Sequence, residues 1–292
     1  MNRKKFLQKS LLGAAGMVAG YSLLEAKNTP TVQSTYHQLM AQVGFNHLPN
    51  KEEKTMNTVL HKADTRGHAN HGWLDSHHTF SFANYYNPDR MNFGVLRVLN
   101  DDIVSAGRGF GTHPHDNMEI ISIPLAGNLE HKDSMGTTSV IKEGDIQVMS
   151  AGTGVYHSEY NQNKDEEVRF LQIWVFPNTQ NVTPRYDQIS LQAIEKHNAF
   201  YQILSPNKDD QGVWVHQDAW FNMGKFDKEA KDTYRLNKAT NGVYAFVLEG
   251  EVTIGGQQLS KRDGFGVWNT PQIEVEANKA AKVLLMEVPM QA

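Results

Sequence analysis

The chain has 292 residues, a formal net charge of −4 and 13 histidines, and it contains no cysteine. That balance excludes disulfide staples, thiolate metal sites and a cysteine nucleophile, and it lacks the basic stripe of a nucleic-acid-binding domain. The length allows two domains of ordinary size or one large one.

The chain opens on a basic head of Arg3, Lys4, Lys5 and Lys9, followed by the uncharged run SLLGAAGMVAGYSLL over residues 10–24. A run of that length fits the apolar region of an export signal and is shorter than the roughly 20 residues a membrane-spanning helix needs. The order NRKKFLQKS resembles a twin-arginine signal, with Lys4 where the second arginine would stand. The expectation is a signal peptide over residues 1–26 and a periplasmic protein without an integral membrane span. An uncleaved tail on a cytoplasmic protein is the alternative. Residues 27–55, rich in Asn, Gln, Thr and Lys, read as a spacer.

From Met56 onward the pattern is strand-like. FGVLRVLN (93–100), MEIISIPLAG (118–127), SVIKEGDIQVMSAG (139–152) and VRFLQIWVF (168–176) are short apolar or alternating runs separated by Gly, Asn and Asp clusters. This is the spacing of an all-β sandwich or barrel. The segment MEIISIPLAGNLEH (118–131) aligns with GVYAFVLEGEVTIG (242–255), and IKEGDIQVMSAG (141–152) with LSKRDGFGVWNTP (259–271), an internal repeat that points to a duplicated domain. The linker falls in PNTQNVTPRYDQI (177–189), which predicts a first domain over 56–186 and a second over 187–292.

Eleven of the 13 histidines lie at or before His157, so histidine chemistry belongs to the first half. In GTHPHDNME (111–119), His113 and His115 stand one residue apart with Glu119 following. A solvated turn is one explanation and half of a metal site is the other. Residues i and i+2 of a strand share a face and can converge on one ion. GTGVYHSEYN (152–161) supplies a second such pair, His157 and Glu159. Three imidazoles and one carboxylate leave positions open on a six-coordinate ion, as a catalytic metal requires.

These segments carry a resemblance. Gly107 with RGFGTHPHDNME fits the first cupin motif, and Gly144 through VMSAGTGVYHSEYN fits the second with a two-residue insertion, Ser150 in the usual proline place and Asn161 in the usual asparagine place. With RGHANHGWLDSHHTFSF (66–82), EHKDSMGTTSVIKEGDIQVMSAGTGVYHSEYN (130–161) and LQIWVFPN (171–178), the chain resembles the pirin family, whose bacterial members include quercetin 2,3-dioxygenases. The resemblance implies an all-β bicupin, two cupin-type β-barrels in tandem, with one divalent metal in the first. That metal is iron(2+) by expectation, with Cu, Ni, Mn or Zn as alternatives. It further implies the ligands His113, His115, His157 and Glu159, with Glu119 beside the site. The catalytic carboxylate that takes the substrate's hydroxyl proton is expected to be Glu159, on leaving the metal, with Glu119 as the alternative. In the second barrel, Phe265 to Trp268 stand where another His–Glu pair would fall, which predicts no metal there.

Other features read more simply. His77 and His78 orient a ligand imidazole or pack against the barrel. Phe80, Phe82 and Phe110, with Met118 and Met149, line an apolar pocket or fill the core. NKDEE (163–167) is a solvated turn. The expected activity is oxidative cleavage of a quercetin-type flavonol by a monomer, with a small aromatic molecule and dioxygen as partners and carbon monoxide as a product. A non-enzymatic metal-binding regulator and a cupin enzyme of another substrate are the alternatives.

Overall fold

The apolar runs and the alternating runs of this sequence end in different sheets. The computed structural model describes residues 56–291; the expected signal and spacer over residues 1–55 lie outside the described residues. Near-continuous apolar segments such as Val168–Val175, Asn241–Glu249 and Ala281–Pro289 are interior strands of two seven-stranded sheets. Each is buried on both faces, so nothing selects for alternation. Leu171 and Ile173 pack with Phe246 and Leu284 of the other seven-stranded sheet, whereas Phe170 points the opposite way, toward Leu129 and Ile141. Strands that alternate, such as Val155–Asn161, Asn128–Asp133 and Gln272–Ala277, lie in two four-stranded sheets that keep one face in water.

Each seven-stranded sheet combines with one four-stranded sheet into a barrel. The first barrel's large sheet runs Arg185–Ser190, Asp145–Ser150, Glu119–Ala126, Val168–Val175, Leu96–Val104, Leu74–His78, Gly67–Asn70. Its small sheet runs Gly109–His115, Val155–Asn161, Asn128–Asp133, Thr138–Lys142. The second barrel repeats the plan, and the aligned L-x-G turns show why the repeat is visible in sequence. Gly127 and Gly250 take the chain from the large sheet into the small one at φ +75° and +77°. A Cβ on Gly250 would meet the Ala280 carbonyl oxygen at 2.0 Å, so neither the conformation nor the space admits a side chain.

The barrels trade edge strands. Arg185–Ser190 pairs with Asp145–Ser150 of the first barrel, so the expected boundary at 186/187 falls inside a strand. Asn57–His61, expected in the first domain, pairs with Gly264–Trp268 and closes the edge of the second large sheet. An edge strand needs only one neighbour, so a remote segment can supply it, and covering the edge also protects it.

The second barrel corrects the position expected for a second metal pair. In the sheet order, the counterparts of Gly109–His115 and Val155–Asn161 are Lys231–Arg235 and Gln272–Ala277. Phe265 and Trp268 sit one strand earlier, on the counterpart of Asp145–Ser150. Linear alignment cannot see that the chain crosses between sheets at this turn. Ile273, Val275 and Ala277 join Phe226, Tyr234 and Phe265 in an apolar cluster that occupies this interior.

Candidate metal centre

The first barrel's small sheet places its histidines by register. Gly109–His115 pairs antiparallel with Val155–Asn161, with His157 directly opposite His113. Pro114 is tolerated between the two histidines because the strand is at the sheet edge and need not donate along its whole length. His113, His115 and His157 converge, with ring centroids 4.4–4.9 Å apart. Their ligand nitrogens all lie within 4.8 Å of one another.

The protonation of these rings is arranged by what lies behind them. His113 Nδ1–H donates to the Gly111 carbonyl at 2.8 Å, which leaves Nε2 with its lone pair. Asp133 accepts from His131 Nε2 at 2.9 Å, and His131 Nδ1 lies 3.5 Å from His157 Nδ1. With Asp133 fixing the His131 tautomer, the His131 Nδ1 lone pair faces the N–H of His157, and His157 Nε2 is left as a lone-pair donor. That atom is buried and has no protein partner. Burial, with the charges of His113, His115 and His131, pushes His157 down to about 2, and burial with His113 pushes His115 down to about 4. Neutral imidazoles aimed at one point, one of them with an orphaned buried nitrogen, are what a divalent cation needs.

Glu159 sits one step aside. The partner strand Gly109–His115 bulges by one residue between His113 and Phe110, so Glu159 stands opposite Phe110 while its own strand pairs evenly with Asn128–Asp133. It clusters with His131 and His157, and its oxygens accept from Ser122 Oγ at 3.0 Å and Gln172 Nε2 at 2.7 Å. Burial pushes its carboxyl up to about 7 against those two hydrogen bonds. His157 is therefore shared between two clusters.

Beside these groups lies a cavity of about 340 Å³, lined by His113, His115 and Glu159 together with Phe82, Phe110 and Trp174. Trp174 stands edge-on to His115 at 4.9 Å and to Phe82 at 5.4 Å. Of the side chains expected to line a pocket, Phe82 and Phe110 do so. Phe80 belongs to the core between the barrels, and Met149 packs with Ile120 and Val155, with Met118 against them. His78 is in the cavity wall, while His77 stacks on His68 at 4.5 Å near Asp75; neither has a hydrogen bond to the three clustered imidazoles. Sequence reasoning missed Trp174, Gln172, Ser122, His131 and Asp133. The only sequence sign was the i, i+2 pair of His131 and Asp133, half-hidden in the charged segment EHKD.

Glu119 is elsewhere. It points away from the cavity, where Ser150 Oγ donates to it at 2.7 Å beside Arg185. Burial raises its carboxyl from 4.5 to about 7 despite those partners. A carboxyl that ionises later in the native state than in the unfolded chain stabilises the fold below pH 4.5, and that contribution is lost as pH rises to 7. Glu119→Gln should therefore gain on the wild type between pH 5 and 8, by about 2 kcal/mol in denaturant midpoints, with metal content unaltered. A difference that stays constant across that range would show that Glu119 does not titrate in the fold.

Comparison with known proteins agrees with this geometry. Residues 59–175 match the family described as Pirin, and residues 202–288 match the quercetinase C-terminal cupin domain. Quercetin 2,3-dioxygenase of Escherichia coli is 45% identical over 230 residues, covering 79% of this chain and 98% of that protein. The pirin-like protein of Caulobacter vibrioides is 36% identical over 225 residues, covering 77% and 96%. Among solved structures, the bacterial pirin of Escherichia coli in complex with nickel(II) superposes with a TM-score of 0.75 at 43% identity, covering 80% of this chain and 99% of that one. Quercetin 2,3-dioxygenase of Acinetobacter baumannii, at 22% identity and a TM-score of 0.66, shares the fold.

Proposed function

We propose that this chain, which belongs to the pirin family, is a metal-dependent dioxygenase that opens flavonols of the quercetin type with dioxygen. The observation that carries this reading is the three-histidine cluster, with its unpartnered His157 Nε2, at the wall of an aromatic cavity that also holds Glu159. His113, His115 and His157 would hold a divalent cation, with Glu159, which clusters with His157, as the fourth ligand. A cation there would supply positive charge that acidifies a nearby hydroxyl, together with an electron path between substrate and dioxygen.

The chain's own residues do the rest. Phe82, Phe110 and Trp174 clamp flat rings and keep water out of a cavity large enough for a fused aromatic system. The Trp174 indole N–H is buried without a protein partner, and a substrate carbonyl is the acceptor that suits it. Glu159, oriented by Ser122 and Gln172, accepts the proton of the hydroxyl beside that carbonyl.

Iron(2+) is the proposed metal, since imidazole and carboxylate donors suit it as they suit nickel; metal analysis of protein from its own host checks this. The activity is tested by flavonol bleaching, oxygen uptake and carbon monoxide release under air and under nitrogen, with the metal defined. Failure of the iron, copper, nickel and manganese forms to consume oxygen with any flavonol would overturn it. We also propose a monomer, because the two largest apolar faces bury each other within one chain; its mass by light scattering checks this. The basic head and uncharged run of residues 1–26 support export to the periplasm, where the mature protein would start near residue 27. Intact Met1 in a cytosolic fraction would count against it.

A further inference from the structure

The inner face of the first large sheet carries a line of polar side chains where a barrel interior is ordinarily apolar. The register sets His78 opposite Asn100, Asn100 opposite Gln172, Gln172 opposite Ser122 and Ser122 opposite Gln147, across five neighbouring strands. All five are buried. The middle of the line is committed to the site already described, since Ser122 and Gln172 hold Glu159. The end formed by His78 and Asn100 is not. Both residues line the cavity, and His78 Nδ1 and Asn100 Oδ1 are buried with no hydrogen-bond partner. Asp102, two residues along the same strand face, also lines the cavity and takes a hydrogen bond from Ser76 on one of its oxygens.

Unpaired buried polar atoms cost roughly 1–3 kcal/mol each and are rare. Two of them on residues that line one cavity, beside a carboxyl with a spare oxygen, mark a place that a ligand completes. The available atoms are mainly acceptors: the Asn100 amide oxygen, a carboxyl oxygen of Asp102, and an imidazole nitrogen that adapts to either role. Acceptors want O–H donors. A carboxylate, sulfate or phosphate group brings only further acceptors and negative charge next to Asp102 and Glu159, and would be rejected.

We propose that His78, Asn100 and Asp102 form a subsite that recognises phenolic hydroxyls on the part of the aromatic substrate lying away from the three histidines. This rests on the flavonol reading and narrows it: the preferred substrates carry one or more hydroxyls on the pendant ring, and conjugates that replace those hydroxyls with sulfate or carboxylate are excluded.

The test separates binding from turnover. Metal-loaded full-length protein is titrated under nitrogen with three flavonols bearing none, one or two pendant-ring hydroxyls, and bound fractions are read by calorimetry. The wild type should bind the hydroxylated probes about tenfold or more tightly than the bare one. Asn100→Leu and His78→Phe should reduce that ratio to threefold or less, while Asn100→Ser, which keeps an acceptor, should retain part of it. Because each variant is read as a ratio between probes, general damage to the protein cancels. Equal affinity for all three probes in the wild type overturns the subsite even if no variant folds. A ratio unchanged in both Leu and Phe variants overturns it as well. A clear hydroxyl preference under nitrogen, with no oxygen uptake under air, sinks the dioxygenase reading and leaves the subsite standing.

Discussion

Wild-type protein should carry one divalent metal per chain by elemental analysis, and His113→Ala combined with His157→Ala should carry less than a tenth of that. The reason is local. Three imidazoles meet at one point in the first barrel, and the matching strands of the second, Lys231–Arg235 and Gln272–Ala277, turn Tyr234, Ile273 and Val275 into an apolar cluster. A metal that binds only the native state stabilises it by about 2.7 kcal/mol when present at a hundred times its dissociation constant. For a chain of this size that is a thermal shift of roughly 5–10 °C. Chelator treatment of the wild type should reproduce most of the drop, which separates loss of metal from loss of packing at His157. His131→Phe should fall between. It leaves all the imidazoles that meet the metal but removes the ring that faces His157 Nδ1, a change of the kind that weakens metal binding roughly 10–100-fold. Two metals per chain, or full retention in the double variant, would refute the single centre.

Much of this architecture was legible because two patterns in the sequence have direct physical readouts. The H-x-H and H-x-E pairs report a shared strand face, and the structure does bring His113, His115 and His157 together. The L-x-G repeats report turns where Gly127 and Gly250 cannot carry a side chain, and so expose the duplication. What was hidden depends on contacts between distant segments. Nothing local in NTVLH says that residues 57–61 complete the second barrel's sheet. The i, i+2 rule holds for His157 and Glu159, which share a buried face and cluster with His131, but it cannot show that Ser122 and Gln172, on two other strands, hold the Glu159 carboxylate. Glu119 looked like a member of the site because it follows His115 by four residues. The turn at Asn117, with φ +43°, moves the chain into another sheet, and Glu119 comes to lie on the far face against Ser150. The polar line from His78 to Gln147 draws one residue from each of five strands, so no window of sequence contains it.

Glu159→Gln should separate holding the metal from doing the chemistry. The variant keeps all three clustered histidines, so it should retain at least half of the bound metal. Turnover of a quercetin-type flavonol should fall by roughly 10²–10⁴, the usual cost of losing a positioned general base. The hydrogen bonds around the residue sharpen the expectation. Ser122 and Gln172 both donate to Glu159, and an amide offers one acceptor where the carboxylate offered two. One buried donor is left facing an N–H₂ group unless Gln172 turns over, so a stability loss of about 1–2 kcal/mol should accompany the loss of rate. The pH profile is the discriminating readout. Only an ionised carboxylate accepts a proton, so wild-type kcat/KM should rise with pH through a limb that Glu159→Gln lacks. Glu119, which points away from the cavity, should leave that limb in place when changed to Gln, with a far smaller loss of turnover. If Glu159→Gln keeps both its rate and its acid limb, the proton is taken by another group, and the role assigned to Glu159 here is wrong.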